Sequence, residues 1–197
     1  MVISSTHNIS ADQKQFNNLH QIKNSDSENK IKRLRQNGQI QIYQSSYRGS
    51  YTTIIRDSLR NAALGRKVLL AQLMKGGVKQ GVSNPVKLCG NLLWIRSEDS
   101  PDQDNNSDEI KDQSISLTIK NSIIELWEFC KKQLLSGEQD QVILDEIFRP
   151  IELGIISEDD LISTLDNRFL SGDVILTGTS IPKKFLLMAD QFTELRS

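Results

Sequence analysis

Six short runs of apolar and β-branched residues recur along the chain and predict β-strands. They are QIQIY (39–43), KVLLAQLM (67–74), NLLWI (91–95), QVILD (141–145), DVILTG (173–178) and QFTEL (191–195). These runs are apolar on both faces, which is typical of strands in a parallel sheet that is covered on both sides.

Amphipathic segments with helical spacing lie between these runs. They predict helices over 52–63, over a segment in which Ile119, Ile123, Leu126, Trp127, Cys130 and Leu134 share one face, and over 157–165. Ser157 is a good N-cap for the last helix, and the acidic residues that follow it suit the positive end of the helix dipole.

Strands that alternate with helices predict the fold class. We expect an α/β domain with a mostly parallel sheet of about six strands covered by helices. Ligands of such sheets bind outside the carboxyl ends of the strands. A functional site is therefore expected just after residues 43, 74, 95, 145 and 178.

Two polar segments depart from this alternation. Residues 1–37 contain the basic cluster KIKRLR and predict an N-terminal arm that orders against something else, with a solvated tail as the alternative. Residues 97–113 are acidic and nearly free of apolar side chains, which predicts a surface loop rather than a functional lid. Residues 38–197 would form the folded domain.

Composition and net charge limit the classes of partner that the protein is expected to bind. The 197-residue chain is 37% hydrophobic with a formal net charge of -1, so neither nucleic acid nor a membrane is expected as a partner. The apolar runs are shorter than a membrane span of roughly 20 residues, and the polar N-terminus lacks a signal-peptide core, which predicts a cytoplasmic protein. Cys89 and Cys130 have no metal-ligand spacing, and we interpret both as reduced residues in or near the core.

The segment QSSYRGSYTT (44–53) has parts of a phosphate-binding loop between a strand and a helix. These parts are small residues at Ser45, Ser46 and Ser50, a flexible Gly49, a cation at Arg48 and hydroxyls at Thr52 and Thr53. Tyr47 and Tyr51 are bulky for a site where backbone N–H groups must converge on an anion. The loop alone therefore favours an ordinary strand–turn–helix junction.

Asp145 and Glu146 stand at the carboxyl end of a strand that should be buried. Adjacent carboxylates there can hold Mg²⁺ directly or through water, because oxygen ligands suit a hard cation. An alternative of equal weight is that Asp145 caps the next helix and that the negative charge of Glu146 is favoured near the positive end of the helix dipole. These residues by themselves do not decide between the two.

Further segments follow the loop in a recognisable order. They are LAQLMKG (70–76), ILDEI (143–147), GIISEDDLISTL (154–165), VILTGT (174–179) and LMADQFTELR (187–196). Their order and spacing resemble the P-loop-type corrinoid adenosyltransferases, such as those acting on cob(I)yrinic acid a,c-diamide. That family carries a TGxGKGKTT loop, a QFxKG strand end, a VLDE strand, a VILTGR strand and an LADxxTEM ending in these places.

The resemblance spans residues 39–196 and implies a P-loop NTPase-like (RecA-like) three-layer sandwich. It implies transfer of the adenosyl group of ATP to the cobalt of a reduced corrinoid, with Mg²⁺ as cofactor. It assigns nucleotide binding to Ser45, Arg48, Gly49, Ser50 and Thr52, a corrinoid pocket to Lys75 and Trp94, magnesium to Asp145 and Glu146, and catalysis to Glu146.

Departures from the family fall on the loop. Its two lysines align with Arg48 and Ser50, and its threonines align with Tyr51 and Thr52. A charge-assisted hydrogen bond contributes about 1.5 to 3 kcal/mol, so serine at the main lysine position would weaken triphosphate binding by roughly one to two decades. We also expect a shortened C-terminus, because family members continue with a basic tail where this sequence stops at Ser197.

Two hypotheses follow. The first is a working ATP:corrinoid adenosyltransferase, and the second is a catalytically inactive regulatory paralogue that binds a nucleotide or a corrinoid. The expected partners are these small molecules in either case. Whether the chain turns over, and whether it forms a homodimer, is left open by the sequence.

Overall fold

The structure is a computed structural model that describes residues 37–47, 51–76, 78–97 and 116–195. Except for Asn37, the predicted N-terminal arm lies outside the described residues. Except for Ser97, which is buried, so does the predicted acidic loop. Both segments stay predictions.

Seven strands of the described chain form one sheet. They are β1 (Ile40–Ser45), β2 (Val68–Gln72), β3 (Val86–Leu88), β4 (Leu92–Arg96), β5 (Gln141–Asp145), β6 (Asp173–Gly178) and β7 (Gln191–Leu195). Their order across the sheet is β3-β4-β2-β5-β6-β1-β7, and all neighbours are parallel except β3 and β4. The predicted α/β fold with a mostly parallel sheet is confirmed, and the arrangement is consistent with a P-loop NTPase-like fold.

All six strands predicted from the sequence are present, and β3 is the addition. Strand β3 has three residues, none of them buried, and it runs antiparallel at the edge of the sheet. A strand this short and exposed has no run of apolar residues from which it could be predicted.

The helices of the described chain are α1 (Thr52–Ala63), α2 (Leu117–Ser136), α3 (Phe148–Glu152), α4 (Glu158–Asp166) and α5 (Lys183–Met188). Helices α1, α2 and α4 confirm the three predicted helical segments. Ser157 caps α4 as predicted, because its hydroxyl accepts a hydrogen bond from the Asp160 amide. Helices α3 and α5 have five and six residues, too few to show a helical period.

The core lies in two layers, one on each face of the sheet. On one face, Ile54 and Ala62 of α1 are buried in a cluster with Val68 and Leu70 of β2. On the other face, the buried side chains of α2, α4 and α5 form a cluster with Leu69. Successive residues of β2 thus enter opposite cores, which explains why the central strands are apolar throughout.

Helices α2 and α4 are joined by a polar contact at Asp160. Its carboxylate accepts hydrogen bonds from Trp127 Nε1 at 2.7 Å and from Lys131 Nζ at 2.5 Å. Partial burial raises the pKa of Asp160, but these two hydrogen bonds and the charge of Lys131 outweigh it, so the pKa lies below its usual range. The folded state therefore favours the ionised carboxylate.

The Asp160→Asn variant is expected to lose about 1 kcal/mol of unfolding free energy near pH 7, because Asp160 is partly exposed and screened. A carboxyl whose pKa is lowered by folding stabilises above its unfolded pKa, and this contribution disappears as the pH falls through the lower, folded pKa. Urea unfolding from neutral to acidic pH should therefore show the two proteins converging in acid. Asp159→Asn is the matched control, since Asp159 lies in the same helical turn and is 90% exposed. An unfolding difference between wild type and Asp160→Asn that does not change with pH would contradict this account.

The two cysteines differ from each other. Cys130 is fully buried in α2, as predicted, and burial raises the pKa of its thiol. The prediction for Cys89 is wrong, because this residue is exposed in the turn between β3 and β4 and has a left-handed backbone with φ of 50°. None of the described helices is both long and apolar enough to cross a membrane.

Candidate functional site

Polar side chains meet at the carboxyl edge of the sheet, where three neighbouring strands end in register. Gln72, the last residue of β2, lies beside Asp145 at the end of β5 and beside Arg96 at the end of β4. Thr177, near the end of β6, lies on the other side of β5. Parallel strands bring their carboxyl ends to one edge, so the register itself places these side chains together.

Asp145 is the centre of this cluster and is only 2% exposed. Its Oδ2 accepts hydrogen bonds from Gln72 Nε2 at 2.8 Å and from Lys75 Nζ at 3.1 Å. Its Oδ1 accepts a hydrogen bond from Thr177 Oγ1 at 2.8 Å. Both carboxylate oxygens are thus occupied by protein donors, one of which is a cation.

Gln72 extends the cluster to the aromatic side of the edge. Its Oε1 accepts hydrogen bonds from Trp94 Nε1 at 3.0 Å and from Arg96 Nε at 2.8 Å. The Arg96 guanidinium stacks over the Trp94 ring at 4.6 Å from its centroid. Burial lowers the pKa of Arg96, and the nearby charge of Asp145 opposes this shift.

Glu146 has an unusual backbone for a residue other than glycine. Its φ is 59°, in the left-handed region, and its amide donates a hydrogen bond to Thr177 Oγ1 at 2.8 Å. Such a backbone costs free energy and tends to persist at functional sites, where surrounding contacts hold it. The Thr177 hydroxyl is one such contact, because it also donates to Asp145.

The helix-capping alternative for Asp145 is wrong. The N-cap position of α3 is Ile147, and the Asp145 oxygens accept hydrogen bonds from three side chains elsewhere in the cluster. Asp145 therefore belongs to the network at the strand ends and not to the start of the helix.

The loop between β1 and α1 is described only at its two ends. Ser45 is buried at the end of β1, and its Oγ accepts a hydrogen bond from the Tyr47 amide at 3.3 Å. Thr52 is exposed at the first turn of α1. Residues 48–50 lie outside the described residues, so nucleotide binding by Arg48, Gly49 and Ser50 stays a prediction, as it does for Ser45 and Thr52.

Tyr51, which was not assigned to the site, lies inside it. The residue precedes α1 and is only 1% exposed, with its hydroxyl close to the Ser45 backbone and the Thr177 side chain. Burial raises the pKa of Tyr51 to about 12, and the charges of Asp145 and then Glu146 contribute to this shift. The phenol therefore lies in the acidic part of the cluster and stays protonated at neutral pH.

The structure brings together Lys75, Trp94 and Asp145, which the sequence had placed at three separate strand ends. It adds Gln72, Arg96, Thr177 and Tyr51. Gln72 and Thr177 lie within strand runs and carry no charge, so the apolar pattern gave no reason to single them out. The feature of the sequence that could have pointed to Tyr51 is its alignment with a loop threonine of the family. A side chain as large as tyrosine at that position must either point away from the site or occupy it.

A resident magnesium ion does not fit this arrangement as the side chains stand. Lys75 already supplies a positive charge at Asp145, and both oxygens of Asp145 have protein donors. The described ranges contain no group of three or more His, Cys, Asp or Glu side chains placed to share a metal ion. The assignment of magnesium to Asp145 and Glu146 stays a prediction.

Comparison with known proteins agrees with the resemblance found in the sequence. A corrinoid adenosyltransferase of Escherichia coli K12 is 22% identical over 163 residues, which cover 81% of this chain and 76% of that protein. An uncharacterized protein of Nostoc, all2391, is 34% identical over 70 residues, and the match spans 36% of this chain but only 18% of that protein.

The family model described as ATP:corrinoid adenosyltransferase BtuR/CobO/CobP matches residues 36–197. This match includes the sheet, all five described helices and every residue of the strand-end cluster. The chain therefore belongs to the ATP:corrinoid adenosyltransferase family.

Proposed function

We propose that this chain transfers the adenosyl group of ATP to the cobalt of a reduced corrinoid at the carboxyl edge of its sheet. The observation that carries the proposal is the single hydrogen-bonded network that links Lys75, Trp94 and Asp145 through Gln72. Membership of the family supports the same reaction.

The proposed reaction asks little acid–base chemistry of the protein. Cobalt(I) is itself the nucleophile and forms a bond to the ribose 5′ carbon, while the bond from that carbon to the triphosphate oxygen breaks. The protein would position the two substrates and stabilise the charge of the leaving triphosphate. Lys75 and Arg96 are the cations at the described edge, and the N-terminus of α1 adds partial positive charge.

Trp94 would contribute to the corrinoid side of the site. Its indole is half-buried, held by the hydrogen bond to Gln72 and covered by Arg96. A rigid aromatic surface of this kind can exclude water from a large apolar ligand.

The second candidate function is binding of a nucleotide or a corrinoid without transfer. The observation that favours it is Tyr51, whose buried phenol fills space beside Asp145 and Glu146. Serine at position 50, in place of a phosphate-binding lysine, points the same way. Binding and turnover must therefore be measured separately.

We expect ATP to bind the wild-type protein weakly, and Ser50→Lys to tighten binding by about ten- to a hundredfold, because it restores a charge-assisted hydrogen bond. Titration calorimetry measures both affinities. The matched control is Ser171→Lys, the same change at an exposed position before β6, at the opposite edge of the sheet. Equal affinities of Ser50→Lys and wild type would show that the alignment of the loop is wrong.

Turnover is followed with ATP and a chemically reduced corrinoid, from the absorbance change as the cobalt–carbon bond forms. Transfer by the wild type supports the first candidate function. Binding without transfer, in both the wild type and Ser50→Lys, supports the second. If neither protein binds ATP or the corrinoid, both candidate functions fail.

A further inference from the structure

We propose that Tyr51 and Lys75 exclude divalent cations from the acidic end of β5, so that a nucleotide binds this site without magnesium. The nucleotide part rests on the proposed function, whereas the exclusion of the cation concerns residues of the free protein. The inference comes from the disagreement between the magnesium that the resemblance implies and the contacts made by Asp145.

Tyr51 is the first obstacle to a cation. In phosphate-binding loops, a serine or threonine hydroxyl at the start of the helix holds magnesium together with a carboxylate at a neighbouring strand end. Tyr51 stands directly before α1, with its phenol buried close enough to Asp145 and Glu146 for their charges to act on it. A buried ring beside these carboxylates leaves less room for a cation between the helix and β5.

Lys75 is the second obstacle, and it acts by charge. Its ammonium group lies 3.1 Å from Asp145 Oδ2, within the space that a metal ligated by this oxygen would occupy. Two cations so close together repel strongly in a site where Asp145 is 2% exposed. The ammonium group neutralises Asp145 in the absence of metal.

The other hydrogen bonds of Asp145 are also made by protein groups, so none of them requires a metal ion. Gln72 and Thr177 complete the hydrogen bonding of Asp145, and the Thr177 hydroxyl also accepts from the Glu146 amide. Arg96 brings a second cation to the same edge through Gln72. Lys75 and Arg96 thus bring two cations to the edge at which Asp145 and Glu146 stand, without a metal ion.

Manganese binding tests the exclusion directly. Mn²⁺ is titrated into wild-type protein and into the double variant Tyr51→Thr, Lys75→Met, and free Mn²⁺ is followed by electron paramagnetic resonance. We expect the double variant to bind Mn²⁺ at least about tenfold more tightly than wild type, because it removes both the ring and the competing charge.

Four further variants separate the effect of the ring from the effect of the charge. Tyr51→Phe keeps the ring and should bind Mn²⁺ as weakly as wild type. Lys79→Met removes an exposed lysine from the same loop and should also match wild type. The single variants Tyr51→Thr and Lys75→Met each remove one obstacle, so each should lie between wild type and the double variant, which keeps the test decisive if the double variant does not fold.

A wild-type protein that binds Mn²⁺ as tightly as these variants would overturn the proposal. Calorimetry with ATP supplies the second readout, since the wild-type affinity should change by less than about threefold between magnesium and EDTA. A larger loss in EDTA would also overturn it. If ATP binds none of the proteins while the Mn²⁺ results are as expected, the exclusion stands and the proposed nucleotide-dependent function fails.

Discussion

Replacing Asp145 by alanine is expected to lower the free energy of unfolding by about 2 to 4 kcal/mol. The substitution removes the acceptor of three side-chain hydrogen bonds at once. The buried amide of Gln72 and the buried hydroxyl of Thr177 would lose their partner, and each unsatisfied group costs about 1 to 3 kcal/mol. Lys75 is 30% exposed and can turn toward water, so its share is smaller.

Urea unfolding measures this loss. The matched control is Asp166→Ala, which removes an exposed carboxylate at the end of α4 and should change the free energy of unfolding by less than about 0.5 kcal/mol. Asp145→Asn keeps the shape and one acceptor oxygen, and should lie between wild type and alanine. A loss below about 1 kcal/mol in the alanine variant would mean that the cluster does not support the fold.

The strands that could be predicted from the sequence are those buried between two helical layers. Leu69 and Leu70 of β2 enter opposite cores, so that strand has to be apolar at every position, and such a run is easy to recognise. The exposed edge strand β3 has no such requirement. Helices α3 and α5 have only five and six residues, too few to show a helical period of apolar residues.

The site could be predicted only where a charged or aromatic residue ends a strand. Asp145 was singled out in this way, because ligands of parallel sheets bind at that edge, whereas Lys75 and Trp94 were assigned only through the resemblance to the adenosyltransferases. Gln72 was not found, since its role depends on lying in register between Asp145 and Arg96, and the order of the strands is a tertiary property. Thr177 was not found for the same reason. Within its own strand it is only one more β-branched residue, and its contact with Asp145 depends on the pairing of β6 with β5.

The buried position of Tyr51 could not be predicted for a different reason. An aromatic residue in a polar loop is as compatible with exposure as with burial, and its neighbour Tyr47 is in fact 63% exposed. What decides the burial of Tyr51 is its place directly before α1, which turns its ring toward the cluster containing Ile54 and Ile143. Local sequence says nothing about that direction.

Phe148 is a core residue that follows closely after the acidic pair Asp145 and Glu146. It begins α3, two residues after Glu146, and its ring packs edge-on against Phe185 of α5 with centroids 5.1 Å apart. Phe148 is 1% exposed and Phe185 is fully buried. Phe148→Ala should therefore lower the free energy of unfolding by about 3 to 5 kcal/mol, from lost burial and the cavity left behind.

Gly178, the last residue of β6, provides an internal test of this packing. A Cβ atom at Gly178 would lie 2.7 Å from Phe148 Cδ2, so Gly178→Ala must push the ring aside. We expect this variant to lose about 1 to 3 kcal/mol in the wild-type background. In the Phe148→Ala background the obstructing ring is gone, and Gly178→Ala should cost much less.

A double-mutant cycle measured by urea unfolding gives the coupling between the two positions. We expect the double variant to be more stable than the sum of the two single losses implies, because the clash and the cavity are made by the same ring. Gly154→Ala is the control: a Cβ atom there meets no neighbour within 4 Å, so any loss comes from its left-handed backbone and should be the same with or without Phe148. If the losses of unfolding free energy at Gly178 and Phe148 are additive, the end of β6 and helix α3 are not in tight contact.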